Sequence, residues 1–600
     1  MKSLTPAQKA QFVSTLPLFQ DLPPELYDEL ANTLEQRAVE AGQTLCQRGD
    51  VSDCLYIVVA GRFRVFVGVE GENKPAAEIG RGETIGDIGL LTGEERSATV
   101  IAARDSSVLV LSKQAFDRLK DNHSSFILSL ARTQIDRLHR LQQKRPAFGR
   151  SETIAVVPAG DVSVAEFTLR FCRSLSKIAE VVHLRNPQAG GGTATEHDSV
   201  DDWLESSPNS SRFVVYESDD AATDWTASCI RQADRLIFVA DADATPVLNE
   251  IESKLQTPRN ALISPRRDLV ILRRENNKPV AAAWLAARQV DVHHNINKSS
   301  DADYDRLARL IAGKAIGLVL SGGGARSFAH IGVIQAITEL GLPIDMIGGT
   351  SMGALIGALT AFGFSPERII KVCRYIFIER GIWDFTLPVV SLLTPRRVTA
   401  SLDSIFSDIA IEDLPKNYYC ISTDLTAGDV AVHRSGPLVK WLKASISIPG
   451  IAPPVIHQGK LFFDGGILNN LPVDVMNLLG VSQTIAVSSG SLFDQRLVEV
   501  QAEHCSPWRI LFNRLNPFSR SISFPSIFNI LYRSALLNSD RSTIAAQQNA
   551  SLLIVPKVSN YGLFQWNAID EIVEAGRLEA REQLANWAFN RGGEAVGNGS

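Results

Sequence analysis

Three glycine-bearing motifs in the second half of the chain restrict its fold most: Gly322-Gly323-Gly324-Ala325-Arg326, Gly349-Thr350-Ser351-Met352-Gly353 and Asp464-Gly465-Gly466. Ser351 sits in a Gly-x-Ser-x-Gly run between a short apolar strand, 343–348, and a small-residue helical run, 354–359. That context suits a sharp strand-to-helix turn with the serine hydroxyl at its tip, the nucleophile elbow. Gly349 and Gly353 allow the positive φ angles and close backbone approach such a turn needs. The glycine triplet also lies between a buried-strand run, 316–320, and a helix predicted over 328–340. Strand, glycine loop and helix together direct free N–H groups at an anion. A dinucleotide fingerprint is disfavoured because Ser327 stands at its third glycine, and a phosphate loop because no lysine occurs in 322–334. An oxyanion site built from 322–326 fits better.

The group that activates the serine is less determined. His433, His457 and His504 all follow Ser351, and a triad of Ser351, Asp464 and His504 has the chain order of an α/β-hydrolase. Asp464 is the better placed partner, because 460–463 reads as a strand that Asp464-Gly465-Gly466 breaks. A carboxylate held there in apolar surroundings has a raised pKa and can act directly as base.

On these motifs, residues 316–480 resemble the patatin-like phospholipases, whose catalytic unit is a Ser-Asp dyad. The resemblance implies Ser351 as nucleophile, Asp464 as base, and Gly322, Gly323, Gly324, Ala325 and Arg326 as the oxyanion loop. One departure is Ser327, where the family often has glycine.

Composition suits a multidomain α/β protein. Six hundred residues exceed one hydrophobic core, and a net charge of −6 shows no basic bias toward nucleic acid. Seven dispersed cysteines without a CxxC pair argue for a reducing compartment. The N-terminus lacks the apolar core of a signal peptide, and no stretch suits a transmembrane helix, so a cytoplasmic location is expected, with peripheral contact on the inner membrane face. No His/Cys/Asp cluster suggests a metal, and the chemistry above requires no cofactor.

At the N-terminus, a helix predicted from Pro24 to Glu35 precedes short β segments punctuated by glycine, among them 55–59 and 62–67. The run from Ile85 to Thr99 resembles the phosphate-binding cassette of cyclic nucleotide-binding domains, and 15–140 is similar to that family's β-roll and trailing helix. The resemblance makes cyclic AMP or cyclic GMP a candidate allosteric ligand. N–H groups near Gly86 and the Arg96 guanidinium would meet the cyclic phosphate. Asp87 would accept from the ribose hydroxyl, and Ser97 would lie near the purine. The family usually has glutamate at the Asp87 position, and a β-roll serving only as a docking module remains the alternative. An amphipathic helical pattern follows over 113–143 and a linker over 145–150.

From 151 to 312, strand runs at 153–157, 181–184, 213–216, 236–239 and 269–272 alternate with helical runs at 165–178, 225–233 and 247–255. This spacing predicts a parallel, doubly wound sheet. Its first strand-to-helix turn, 158–163, lacks a phosphate-loop sequence, which favours a structural or coupling role over an unknown ligand.

The expected domains are therefore a β-roll (1–145), a Rossmann-like α/β coupling domain (151–312), a catalytic core (316–480), its C-terminal extension (481–590) and a disordered tail (591–600). This order resembles the neuropathy target esterase family, supported also by 229–234, 480–481, 562–566 and 570–573. The resemblance implies a carboxylic ester hydrolase acting on phospholipids or lysophospholipids. Eukaryotic members carry an N-terminal anchor and further nucleotide-binding-like domains. The chain shows neither and reads as a compact bacterial version. The basic, aromatic segment 505–535 is a candidate membrane contact, and 385–393 a candidate border of the acyl pocket. A cyclic-nucleotide sensor or lipid-binding regulator with an inactive hydrolase domain is the competing class. Head group, acyl chain and oligomeric state are not legible.

Overall fold

The computed structural model describes the chain outside residues 1–3, 17, 20–21, 24, 68–76, 124–125, 128, 131, 133–151, 187–211, 256–264, 275–279, 383, 388, 482, 491–545 and 597–600. Segments 145–150 and 505–535 and residue His504 thus lie outside the described residues. The chain forms two compact units, one of residues 1–277 and 283–308, the other of 278–282 and 309–600.

The first unit opens with a β-roll. Strands β1 (Glu35–Val39), β2 (Thr44–Cys46), β3 (Cys54–Ala60), β4 (Phe63–Phe66), β5 (Ala77–Ile79), β6 (Thr84–Ile85), β7 (Thr99–Ala102) and β8 (Ser106–Ser112) form two antiparallel sheets, ordered β1-β8-β3-β6 and β2-β7-β4-β5. β3 and β8 are buried along almost their whole length, so both faces of the sheet are covered. The expected trailing helix begins at Lys113, capped by the Ser112 hydroxyl, and its first segment ends at Asn122.

The α/β part of this unit holds six parallel strands in the order β10-β11-β9-β12-β13-β14. They are β9 (Glu152–Pro158), β10 (Glu180–Leu184), β11 (Arg212–Glu217), β12 (Arg235–Asp241), β13 (Arg266–Arg273) and β14 (Val292–Asn297). β14, with two histidines and two asparagines, had no apolar run to mark it. β-roll and α/β sheet meet through charge. Arg62 and Arg104 reach Asp234 at 3.3 and 3.5 Å, and Asp234 also accepts from the Thr153 hydroxyl at 3.0 Å.

The second unit is built on a mixed sheet ordered β19-β20-β17-β16-β15-β21-β22, with β18 paired to β17. Its strands are β15 (Ile316–Leu320), β16 (Met346–Thr350), β17 (Asn417–Asp424), β18 (Asp429–His433), β19 (Val455–His457), β20 (Lys460–Asp464), β21 (Gln483–Val487) and β22 (Leu552–Ile554). β15 and β16 are wholly buried, as central parallel strands covered on both faces must be. The expected boundary at 480 cuts through this sheet: β21 pairs in parallel with β15, and β22 with β21. The terminal helix, Ile569–Val596, runs into the segment expected as a disordered tail. Its N-terminal part packs on the helix Ala329–Glu339 through buried Ile569, Ile572 and Val573.

Candidate active site

The chain turns sharply where β16 hands over to the helix Met352–Ala361. Ser351 takes φ 54° and ψ −126°, a left-handed conformation that costs a non-glycine residue on the order of 1–3 kcal/mol. The turn is closed by Gly353, where a Cβ would stand 2.3 Å from the Leu320 carbonyl oxygen. Ser351 N–H donates to Ser445 Oγ at 2.9 Å, and its side-chain hydroxyl donates to Asp464 Oδ2 at 2.7 Å.

Asp464 ends β20 and caps the turn Gly465–Ile467. Its Oδ1 accepts from Gly466 N–H at 2.8 Å, while a Cβ on Gly465 would press on the Ile421 carbonyl oxygen at 2.6 Å. The first glycine of the motif therefore allows close approach to β17 and the second orients the carboxylate. Burial pushes the Asp464 carboxyl up to about 7, because the two hydrogen bonds offset only part of the cost of placing a charge there. This is the poise a general base needs near neutral pH.

The glycine loop forms a 3-10 turn, Gly324–Phe328, across from the serine. Its donors are not equivalent. Gly322 N–H donates to Asn470 Oδ1 at 3.1 Å and Ala325 N–H to the Leu563 carbonyl at 2.8 Å, which leaves Gly323 and Gly324 N–H as the donors at the start of the turn. Gly324 has φ 57°, and a Cβ there would lie 2.3 Å from the Leu563 carbonyl oxygen. Arg326 departs from its expected place in the oxyanion site. Its buried side chain turns away, Nε donating to the Tyr561 carbonyl at 2.8 Å and Nη2 to that of Ser559 at 3.3 Å. The guanidinium anchors the C-terminal segment, and the loop meets the site with main chain alone. Ser327 is accommodated, its hydroxyl directed at the Ser321 carbonyl. His330 Nε2 donates to the same carbonyl at 2.8 Å, and burial lowers its pKa to about 4, so it stays neutral.

A cleft of about 120 Å³ opens over Ser351 and Gly324. Phe377, Ile382, Leu393, Val398, Ile448, Ile451, Leu563 and Trp566 line it, with Lys443 as the one basic lining residue among the described residues. Of the described residues of 385–393, the segment expected to border an acyl pocket, Leu393 lines the cleft, while Leu563, Phe564 and Trp566 come from the C-terminal extension. Of the histidines weighed for a triad, His433 bonds Ser422 Oγ at 2.6 Å and His457 bonds Lys440 Nζ at 2.7 Å, whereas the Ser351 hydroxyl bonds Asp464. Asn470, Ser445 and Leu563 escaped sequence reasoning, since no local spacing ties them to the serine.

In the β-roll, Gly86 and Gly93, both at positive φ, bracket the helix Asp87–Thr92. Arg96 is buried, with Nη2 donating to the Cys54 carbonyl at 2.7 Å. Its Nη1 has no hydrogen-bond partner among the described residues and lies 1.5 Å from where a Cβ on Gly86 would stand. Only glycine at 86 makes room for this guanidinium. Asp87 is turned inward, accepting from Thr84 Oγ1 at 2.7 Å and from Ile88 N–H at 2.9 Å, so the ribose role expected of it has its carboxylate engaged elsewhere. Ser97 is exposed.

The first strand-to-helix turn of the central domain is occupied by protein. Gly160 N–H donates to Glu252 Oε2 at 3.1 Å, and Arg288 Nε neutralises that buried carboxylate at 2.6 Å. The Gly160 N–H of this turn is thus satisfied by an internal carboxylate.

Comparison with known proteins agrees with this architecture. Residues 36–123 match the cyclic nucleotide-binding domain model, 150–309 the neuropathy target esterase family P-loop like domain, and 318–477 the patatin-like phospholipase model. The chain is 30% identical over 618 residues to patatin-like phospholipase domain-containing protein 6 of Pongo abelii, covering 92% of this chain and 45% of that protein. It is 30% identical over 609 residues to neuropathy target esterase sws of Drosophila melanogaster, covering 92% and 42%. The chain thus spans less than half the length of these curated relatives. Over 582 residues it is 32% identical to an uncharacterized NTE family protein of Mycobacterium bovis, with 95% of each chain covered. With three domain models matched in order and a relative aligned along nearly its whole length, the chain belongs to the neuropathy target esterase family.

Proposed function

We propose that this chain is a serine esterase that hydrolyses carboxylic ester bonds of phospholipids or lysophospholipids through a Ser351–Asp464 dyad. The 2.7 Å bond from Ser351 Oγ to a buried carboxylate, with no cation paired to it among the described residues, carries the reading. As Oγ attacks the ester carbonyl carbon, Asp464 Oδ2 takes the hydroxyl proton. The negative charge then forming on the carbonyl oxygen falls to the Gly323 and Gly324 N–H groups, a class of contact worth roughly 3–4 kcal/mol per donor. Collapse of the tetrahedral intermediate expels the alcohol, which recovers the proton from Asp464, and leaves an acyl-Ser351 ester. Water attacks that ester and gives a proton to Asp464; collapse of the second intermediate releases the fatty acid as Asp464 returns that proton to Ser351 Oγ. The apolar cleft suits an acyl chain, and the names of the family's curated members point to the same chemistry.

The decisive assay is hydrolysis of lysophosphatidylcholine by wild type, Ser351→Ala and Asp464→Asn. Each variant is expected to lose on the order of 10⁴-fold in kcat, as when members of a catalytic unit are removed singly. Retention of activity by either variant would overturn the dyad. Labelling of wild type, but not Ser351→Ala, by a fluorophosphonate would separate this reading from that of an inactive regulator.

The unpartnered Arg96 Nη1 favours a second reading, in which the β-roll takes the phosphate of cyclic AMP or cyclic GMP and regulates the esterase. Loss of calorimetric cyclic-nucleotide binding in Arg96→Gln would support it, and wild-type chain that binds neither nucleotide would leave the β-roll a docking module.

A further inference from the structure

Between the helical turn Tyr375–Glu379 and the helix Arg396–Phe406 the chain sends apolar side chains outward. Phe385, Leu387, Val389 and Val390 are 67%, 81%, 87% and 66% exposed. Single exposed apolar residues are ordinary on any protein surface, but four within six positions form a patch that water penalises.

The segment is held in place by its own hydrogen bonds. Phe385 bridges Leu393 in antiparallel fashion, and Thr394 N–H donates to the Asp384 carbonyl at 2.8 Å. Leu392 and Leu393 N–H donate to the Gly450 and Ile451 carbonyls, each at 2.9 Å. The protein therefore fixes a loop whose tip is greasy and whose base is tied to the core.

Two further observations say what covers it. Ile382, Leu393, Thr394 and Pro395, at the base of the loop, line the cleft over Ser351, so the loop that carries the exposed patch borders the apolar pocket. Exposed Arg380, Arg396 and Arg397 flank the loop, against exposed Glu379 and half-buried Asp384, which leaves a net positive rim. Apolar side chains inside a basic rim complement a bilayer with anionic headgroups.

We propose that Phe385, Leu387, Val389 and Val390 insert into the headgroup–acyl boundary of an anionic lipid bilayer and set the mouth of the Ser351 cleft against the membrane. An acyl chain then passes from lipid into the cleft without crossing water. The route for substrate rests on the esterase reading, whereas the membrane contact itself does not.

The test uses the full chain and the double variant Leu387→Asp/Val389→Asp, neither residue lining the cleft. Both are made also on a Ser351→Ala background, so that vesicle binding is read without turnover. The probes are sedimentation with vesicles of phosphatidylcholine alone or mixed equally with phosphatidylglycerol, and hydrolysis of p-nitrophenyl butyrate in solution. The parent is expected to bind the mixed vesicles more tightly than the neutral ones, and the double variant to lose about tenfold or more in that binding, since two inserted apolar side chains become charged. Hydrolysis of the soluble ester is expected to be unchanged, while hydrolysis of lysophosphatidylcholine within vesicles falls in step with binding. Undiminished vesicle binding by the double variant overturns the proposal. So does a change of oligomeric state with no change in vesicle binding, which would make the patch an interface between copies of this chain. If wild type hydrolyses neither ester the esterase reading fails, and the sedimentation result still decides the loop.

Discussion

Asp268 in the central α/β domain and Asp464 in the catalytic domain are buried to nearly the same degree, 0% and 2% exposed. Both lie on strands, and burial alone would raise both carboxyls. Asp268 has Arg235 Nη1 at 2.6 Å and Arg266 Nε at 3.1 Å, and these cations outweigh burial and hold its carboxyl below the usual range. Among the described residues Asp464 has only a serine hydroxyl and a backbone N–H, and burial prevails, taking it to about 7. Asp234 repeats the first pattern: burial raises its carboxyl, but Arg62, Arg104 and Thr153 more than compensate. A buried acid with cations beside it is a structural tie, and one without them is a reactive group kept at a cost in stability.

Substitution by the isosteric amide should separate the two. Asp268→Asn removes one of the two carboxylates that hold buried Arg235, Glu152 remaining at 3.0 Å, and is expected to lose about 3 kcal/mol at pH 7, read from urea unfolding. Because the Asp268 carboxyl is depressed in the fold, its contribution is present above the ordinary carboxylate pKa and lost as pH falls through the folded value. The deficit of the variant should therefore shrink in acid. An Asp268→Asn chain as stable as wild type at pH 7 would break the contrast.

Asp464→Asn should move the other way. Its folded carboxyl is raised, so the native state holds a proton that the unfolded chain releases as pH rises from about 4 to about 7. Wild type loses up to ~4 kcal/mol across that window, the equivalent of a shift of this size at 1.36 kcal/mol per unit. The variant should be more stable than wild type by up to that amount above pH 7, with the gain vanishing near pH 4. Equal stabilities at high pH would mean that the Asp464 carboxylate is solvated or paired.

The proposed dyad could be read from sequence because each member carries its own local geometry: Ser351 between the glycines of a strand-to-helix turn, Asp464 at a strand end broken by Gly465-Gly466. The strand-rich patterns of the β-roll and of β9 to β13 were legible for the same reason, since short-range apolar runs mark buried strands. What escaped depends on chain closure. Asn470 reaches Gly322, and Leu563 reaches Ala325, across long sequence separations that leave no periodic trace. Arg326 shows the limit most clearly: the motif placed it beside the oxyanion, and the folded chain turns its guanidinium to the carbonyls of Ser559 and Tyr561. Arg235 begins β12 and Asp268 is the third residue of β13, each just outside the apolar run that marked its strand, so nothing local announced a buried ion pair.

The central claim is that an unpaired, buried Asp464 is the base for Ser351. It is tested most directly by kcat/KM for a soluble ester as a function of pH, in wild type and Asp464→Asn. The account predicts an acid limb with its midpoint near 7 in wild type, the carboxylate being required, and no such limb in the residual activity of the variant. A midpoint near the ordinary carboxylate value of about 4, or a limb near 7 that survives in Asp464→Asn, would contradict it.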